Sequence, residues 1–204
     1  MKPQFIARLT KKMNGKLPGR TSQEKMMVKP RYKSHEKKTS FPAAVLILLY
    51  PIKNKWHFFL TKRTNIVEHH KGQISLPGGM LEKGESHKEA AVRETFEELG
   101  IQSKDINIIG PLTPLYVPIS NFEIFPFVGW MKSIPELSIQ PKEVSKVFSA
   151  SIFSLMDPQT KKVKNSTLLG QKVKIPFFNL KNEVVWGATS MIISEFKTVL
   201  KGVL

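Results

Sequence analysis

The sequence predicts an α/β (α+β) protein in which a mixed β-sheet is sandwiched between α-helices. Three observations carry this expectation. Short β-type apolar runs follow one another from Phe41 onward. A well-capped helix interrupts them over residues 87–99, and an amphipathic helix occupies residues 188–200. Strands interleaved with two or three helices suit a sheet covered by helical layers.

The elements can be justified in order. In residues 2–13, Phe5, Ile6, Leu9 and Met13 recur at helical spacing among basic residues, and Leu17-Pro18-Gly19 then breaks the pattern. Residues 43–50 and 56–61 read as a hairpin around Pro51, Asn54 and Lys55. The first of these is the longest apolar run, eight residues, far short of a bilayer span and suited to a buried strand. Residues 105–109, 115–118 and 124–131 are further strands, and 147–155 reads as a second helix or helical turn. Short strands follow at 173–178 and 184–186. In the last helix Met191, Ile192, Phe196 and Val199 make the apolar face.

The length of 204 residues suits one domain over residues 41–204, preceded by a basic N-terminal extension, residues 1–40, that packs on it. A chain with no cysteine has no disulfide, thiolate metal site or cysteine nucleophile, which suits a reducing, cytoplasmic setting. The net charge is +16, and residues 1–40 hold 12 of the 32 Lys and Arg against only Glu24 and Glu36. Such a balance attracts polyanions, whether phosphorylated small molecules, RNA or membranes, and equally serves solubility. A basic, acid-poor, amphipathic start also has the character of a mitochondrial transit peptide. RNA-recognition signatures with stacking aromatics are absent, so nucleic acid is not the expected partner.

The chemistry is concentrated around residues 79–101. Ser86 is placed as an N-cap with Glu89 three residues on, a capping box, and Gly100 is placed as a left-handed C-cap. On the helix between them Glu94, Glu97 and Glu98 fall on one face, and Val92, Phe96 and Leu99 on the opposite face, expected to pack on the sheet. Three carboxylates on one stripe repel each other on a bare helix, but converging hard oxygens suit Mg²⁺ or Mn²⁺. A solvated acidic face is the plain alternative. Against it, Glu82, Glu85, Glu89, Glu94, Glu97 and Glu98 crowd together in a chain with only 16 acidic residues. Pro77-Gly78-Gly79 stands directly before them, and Gly78 and Gly79 let the backbone approach a metal or a phosphate closely.

From Gly79 the spacing is five residues to Glu85, seven more, then Arg93-Glu94-Thr95-Phe96-Glu97-Glu98-Leu99-Gly100-Ile101. This resembles the Nudix box at every fixed position. Thr95 at the first aliphatic position is the one departure, mild because Thr is close to Val in shape. The resemblance implies the Nudix fold and a small-molecule diphosphate as substrate. Glu94, Glu97 and Glu98 are implied to carry the metal, with the Gly79 carbonyl as a further ligand. Glu85 and Arg93 are implied to form a structural ion pair that orients loop and helix.

A second stretch, residues 59–79, resembles the signature of the coenzyme A pyrophosphatase branch, with its spacing intact from Leu60 to Gly79. Phe59 replaces Leu, Leu76 replaces Phe, and Glu68 replaces Arg, which puts a phosphate contact at that position in doubt. Leu115-Tyr116-Val117-Pro118-Ile119-Ser120-Asn121-Phe122 and Trp186-Gly187-Ala188-Thr189 are also similar to that branch. The implied reaction is hydrolysis of the diphosphate of coenzyme A or acyl-CoA to 4′-phosphopantetheine (or its acyl form) and adenosine 3′,5′-bisphosphate. ADP-ribose, NADH or a nucleoside triphosphate is the alternative substrate class, and a non-catalytic RNA-binding module the alternative of another kind. Arg63 is the first candidate for a substrate contact, since a guanidinium grips phosphate bidentately, although it can also hold a loop through backbone carbonyls. His70, like His69, is either a phosphate donor or a loop residue. Lys71 lies near the same loop in sequence, and Lys62 reads as a solvated strand residue. The general base is left open between Glu94, Glu98 and Glu143, the last placed before the second helical segment. A homodimer is in keeping with the family.

Overall fold

A computed structural model describes residues 2–30, 39–64, 72–168 and 170–204. The chain opens with α1 (Lys2–Met13) and the single turn α2 (Arg20–Gln23). β1 (Phe41–Ile52), β2 (Lys55–Arg63), β3 (Ile74–Ser75) and β4 (Gly78–Met80) lead into α3 (His87–Leu99). Then come β5 (Asn107–Pro111), β6 (Leu115–Val117), β7 (Phe122–Trp130), β8 (Val144–Ser151) and the short α4 (Ile152–Met156). β9 (Lys161–Leu168), β10 (Gln171–Leu180), β11 (Glu183–Val185) and α5 (Gly187–Leu200) complete it. The main sheet has eight strands on the path β3-β2-β1-β7-β5, with β4 against β1, β6 against β7 and β8 against β2. It is mixed, because β1 and β7 run parallel from Phe41↔Phe122 to Leu49↔Trp130 while the other pairs are antiparallel. A second, antiparallel sheet runs β11-β10-β9.

β1 is the centre of the molecule and is buried on both faces. Ala44, Leu46, Leu48 and Tyr50 join Ala90, Ala91 and Leu99 of α3 in one core layer. Ile47 and Leu49 join Phe5 and Leu9 of α1 and Phe196 and Leu200 of α5 in the other. A strand covered on both sides reads as an unbroken apolar run, which is why it stands out in the sequence. Each of its fully buried Leu and Ile side chains contributes about 1.5–3 kcal/mol.

Several expectations need correction. Residues 147–155 are not a helix: β8 runs antiparallel to β2 through Phe58↔Ala150 and Leu60↔Phe148, and only Ile152–Met156 turns helical. Phe148 and Ala150 face the core at alternate positions, a strand period that the exposed Lys146 shortens and the following apolar turn obscures. Ser151 ends the strand and caps the turn, its hydroxyl accepting from the Phe153 amide at 3.1 Å. β9 leaves little sequence signal because it is an exposed lysine-rich edge strand with little apolar alternation. On α3 the sheet-facing residues are Ala90, Ala91, Thr95, Glu98 and Leu99, whereas Phe96 is 46% exposed. Small residues let the helix lie close on β1, and Thr95 removes its hydroxyl from solvent by donating to the Ala91 carbonyl at 2.7 Å. Lys62 is not simply solvated; it pairs with Glu183 of β11 at 3.2 Å.

The first helix packs as its apolar spacing requires. Phe5 stacks on Trp56 of β2 with ring centroids 5.5 Å apart, and Leu9 is fully buried. The next turn is held by Glu195 of α5, itself fully buried. Its carboxylate accepts from the Gly19 amide at 3.1 Å, from Gln23 Nε2 at 2.9 Å and from the Thr113 hydroxyl at 2.7 Å. A buried carboxylate with this many donors holds three distant segments at one point. Among the described residues no helix is long and apolar enough to cross a membrane.

Candidate active site

Helix α3 is fixed in phase by its ends. The Ser86 hydroxyl accepts from the Glu89 amide at 3.3 Å and Glu89 Oε2 accepts from the Ser86 amide at 2.8 Å. At the other end Gly100 is left-handed (φ 74°) and its amide donates to the Phe96 carbonyl at 2.7 Å. Both caps are those the sequence predicts.

Arg93 organises the front of the site. Its Nη2 and Nε donate to the two oxygens of Glu85 at 2.8 and 3.1 Å, a bidentate pair. Nη2 also reaches the Met80 carbonyl at 2.9 Å, and Nη1 reaches Glu94 at 3.0 Å and Glu97 at 2.9 Å. The Arg93 hydrogen bonds, with the Glu82 amide, hold the Glu85 carboxyl below its usual range. One guanidinium thus ties the loop before α3, through Glu85 and the Met80 carbonyl, to two carboxylates of the helix, Glu94 and Glu97. Lysine offers a point charge in place of this fork, so Arg93→Lys is expected to weaken activation by Mn²⁺ and to lower kcat by about 10–100-fold, read by metal titration of the steady-state rate.

Behind Arg93 three carboxylates converge. Oxygens of Glu94, Glu98 and Glu143 lie within 4.8 Å of one another. Fully ionised, each pair at that range repels by about 3 kcal/mol at an effective dielectric near 20. Glu98 is 2% exposed, and its Oε2 is buried with no hydrogen-bond partner among the described residues. Burial pushes its carboxyl up to about 8, opposed by the Arg63 charge and the Gly78 amide and assisted by the charges of Glu94 and Glu143. Burial likewise raises Glu94, against its hydrogen bond from Arg93. An all-oxygen donor set with an orphaned buried oxygen fits a hard divalent cation, which would relieve both the repulsion and the missing bond.

The glycines bring backbone to this cluster. β4 pairs with β1 at Val45↔Gly78 and Ala44↔Gly79. A Cβ on Gly79 would collide with the Glu94 carboxylate, so the bare backbone lies directly against a cluster member. Gly78 has φ +151°, and a Cβ there would run into the Ala44 carbonyl and Val45.

Glu143 reaches the cluster from the turn immediately before β8, not from a helix start as its setting in sequence suggests. Its carbonyl accepts from the Thr64 amide at 2.9 Å, and the Thr64 hydroxyl donates to the Lys142 carbonyl at 2.9 Å. Thr64, unnoticed in the sequence, therefore secures this loop through backbone contacts that leave no motif. Its neighbour Arg63 ends β2 and acts electrostatically on Glu98, with Nε buried and unpartnered among the described residues. Glu97 lies on the α3 stripe but its carboxylate is turned to Arg93. His70 lies outside the described residues, as do Glu68, His69 and Lys71.

A sequence model described as the NUDIX domain matches residues 40–167. The chain belongs to the Nudix family. As a Nudix hydrolase it joins proteins that act on small-molecule diphosphates and in general use divalent metals. Nudix hydrolase 3 of Caenorhabditis elegans is 29% identical over 177 residues, spanning 77% of this chain and 72% of that protein. The mitochondrial coenzyme A diphosphatase NUDT8 of Homo sapiens is 29% identical over 159 residues, spanning 76% of this chain and 66% of that protein. The solved MutT protein from Methanosarcina mazei Go1 superposes with a TM-score of 0.52 at 18% identity, over 82% of this chain and 99% of that one. That likeness is one of fold: a Nudix mixed sheet between helices.

Proposed function

We propose that this Nudix hydrolase cleaves the diphosphate of coenzyme A or acyl-CoA, releasing 4′-phosphopantetheine (or its acyl form) and adenosine 3′,5′-bisphosphate. The observation that carries the chemistry is the group of Glu94, Glu98 and Glu143 around an orphaned buried oxygen. The substrate class rests on the spacing of residues 60–79 and on the likeness to a coenzyme A diphosphatase.

Glu94 and Glu98 would hold Mg²⁺ or Mn²⁺, with Glu97 and the Gly79 carbonyl as the further oxygens the family resemblance assigns, and Glu143 would stand beside the ion. The bound ion supplies charge neutralisation on the diphosphate and a lowered pKa for the attacking water. Arg93 and Glu85 hold the helix and its preceding loop in register. The Gly78-Gly79 backbone approaches the diphosphate without side-chain hindrance. Arg63 is the proposed phosphate contact, together with His70. A carboxylate of the cluster accepts the proton of the attacking water, and Glu143 is the proposed base because it stands on a separate loop from the two helix carboxylates.

Incubation with CoA and Mg²⁺ or Mn²⁺, with chromatographic separation of products, tests the reading. Adenosine 3′,5′-bisphosphate is expected from the wild type and little from Glu97→Gln. Glu143→Gln is expected to lower kcat by about 10²-fold or more while metal still binds; normal turnover would remove Glu143 from the mechanism. If neither metal supports CoA cleavage, the substrate assignment falls, and ADP-ribose and NADH become the substrates to try.

A further inference from the structure

Beside the carboxylate cluster lies a recess of about 580 Å³, bordered by Glu97 and Glu143 and lined by Phe96, Gln102, Ile139 and Gln140. Phe96 and Ile139 are 46% and 41% exposed. Phe96 does no work in the core, since the sheet-facing side of α3 is made by smaller residues. An aromatic and a branched aliphatic side chain are therefore held in water at the edge of the reacting centre.

The wall of the recess is fixed by backbone contacts. The Ser138 amide donates to the Leu99 carbonyl at 2.9 Å and the Gln140 amide to the Glu98 carbonyl at 3.1 Å. Gly100 permits this approach, because a Cβ there would stand 2.7 Å from the Ser138 Cβ. The recess is thus preformed rather than assembled on binding.

Its chemistry is selective. Among the described residues lining it none is Lys or Arg, and its border carries two carboxylates. A phosphorylated group placed there finds no counter-charge and meets repulsion from Glu97 and Glu143. Two glutamine side chains offer amide donors and acceptors, and Phe96 and Ile139 offer apolar contact. The complementary ligand is an uncharged, partly aliphatic chain that itself carries amides.

We infer that this recess binds the uncharged, amide-bearing limb of the substrate and so fixes which way round the diphosphate lies in the site. The inference rests on the coenzyme A reading, in which that limb is the pantetheine chain. The nucleotide with its 3′-phosphate then leaves the cluster by another side; Arg63, whose charge acts on Glu98, is not among the residues lining the recess.

The test uses Phe96→Ser and Ile139→Ser, both at exposed positions that the fold does not need, with thermal melts to confirm that each variant is folded. Steady-state CoA hydrolysis is measured with each product as inhibitor. For each variant KM for CoA and Ki for 4′-phosphopantetheine are expected to rise about tenfold, with kcat little changed. Ki for adenosine 3′,5′-bisphosphate is expected to stay within about twofold of wild type. Unchanged KM and Ki values in both variants would overturn the inference, and so would a selective loss of inhibition by adenosine 3′,5′-bisphosphate, which would place the nucleotide in the recess. A wild type that releases no adenosine 3′,5′-bisphosphate from CoA fails at the earlier reading and takes this inference with it, whereas a CoA hydrolase with indifferent variants fails here alone.

Discussion

Glu98→Gln is expected to lower kcat by on the order of 10³ and, without metal, to make the protein more stable above pH 5. The first effect follows from removing a proposed ligand at the centre of the cluster, which costs several kcal/mol of transition-state stabilisation. The second follows from burial. Glu98 has a folded pKa of about 8 against an ordinary value of 4.5, so the folded state holds its proton more tightly than the unfolded chain. A raised carboxyl pKa leaves stability intact below pH 4.5 and erodes it as pH rises toward 8. The upper bound on that loss is on the order of 5 kcal/mol. Melting curves in chelator from pH 4 to 9 should show wild-type stability falling across this window and the variant's staying flatter. Added Mn²⁺ should restore the wild type at pH 8 and leave the variant unmoved, since only a protein that binds the ion in its folded state gains from it. A wild-type profile as flat as that of Glu98→Gln would show that burial of this carboxyl costs the fold nothing.

Gly78→Ala is expected to be the most damaging methyl group that can be added near the site. Its Cβ would strike backbone, the Ala44 carbonyl and the Val45 Cα, in the central strand of the sheet. The φ of +151° is also one that an L side chain rarely adopts. Overpacking and backbone strain together cost about 2–5 kcal/mol, a large share of a domain's usual stability. Gly79→Ala provides the contrast. Its Cβ meets the movable end of the Glu94 side chain instead of β1 backbone. It should keep most of its denaturation midpoint and lose activity, because the displaced carboxylate belongs to the cluster. Equal midpoints for Gly78→Ala and wild type in urea would show that β4 can leave β1 without loss.

How much was legible follows from how local each determinant is. The limits of α3 were readable because both caps are made by residues within three positions of the helix ends. β1 was readable because two-sided burial leaves an unbroken apolar run. The face of α3 that meets the sheet is not legible from hydrophobicity, which points to Phe96, because close approach to β1 favours Ala90, Ala91 and Thr95. Glu143 could be nominated from sequence, but its nearness to Glu94 and Glu98 depends on β8 pairing with β2, a contact across more than eighty residues. The same pairing hid β8 itself, whose alternation merges into the apolar turn that follows. The segment from Ser138 to Gln140 acts through main-chain atoms, and Thr64 grips only main-chain atoms of its partner loop, so neither leaves a paired residue signature.

The hold of Glu195 on Gly19, Gln23 and Thr113 has a consequence in time as well as space. A ribosome makes the chain from its N-terminus, so Gly19 and Gln23 emerge 176 and 172 positions ahead of the carboxylate they bond. Until α5 has been synthesised the turn at residues 20–23 lacks its bonds to Glu195 and keeps the one from Gln23 to the Thr113 carbonyl, and the face of the sheet that α1 and α5 share is incompletely covered. The central strands can pair during synthesis, but the turn at residues 20–23 docks fully only after residue 195 has been made. A nascent chain stalled short of Glu195 should therefore be cut by protease near Gly19 and Gln23, and synthesis past α5 should end that sensitivity.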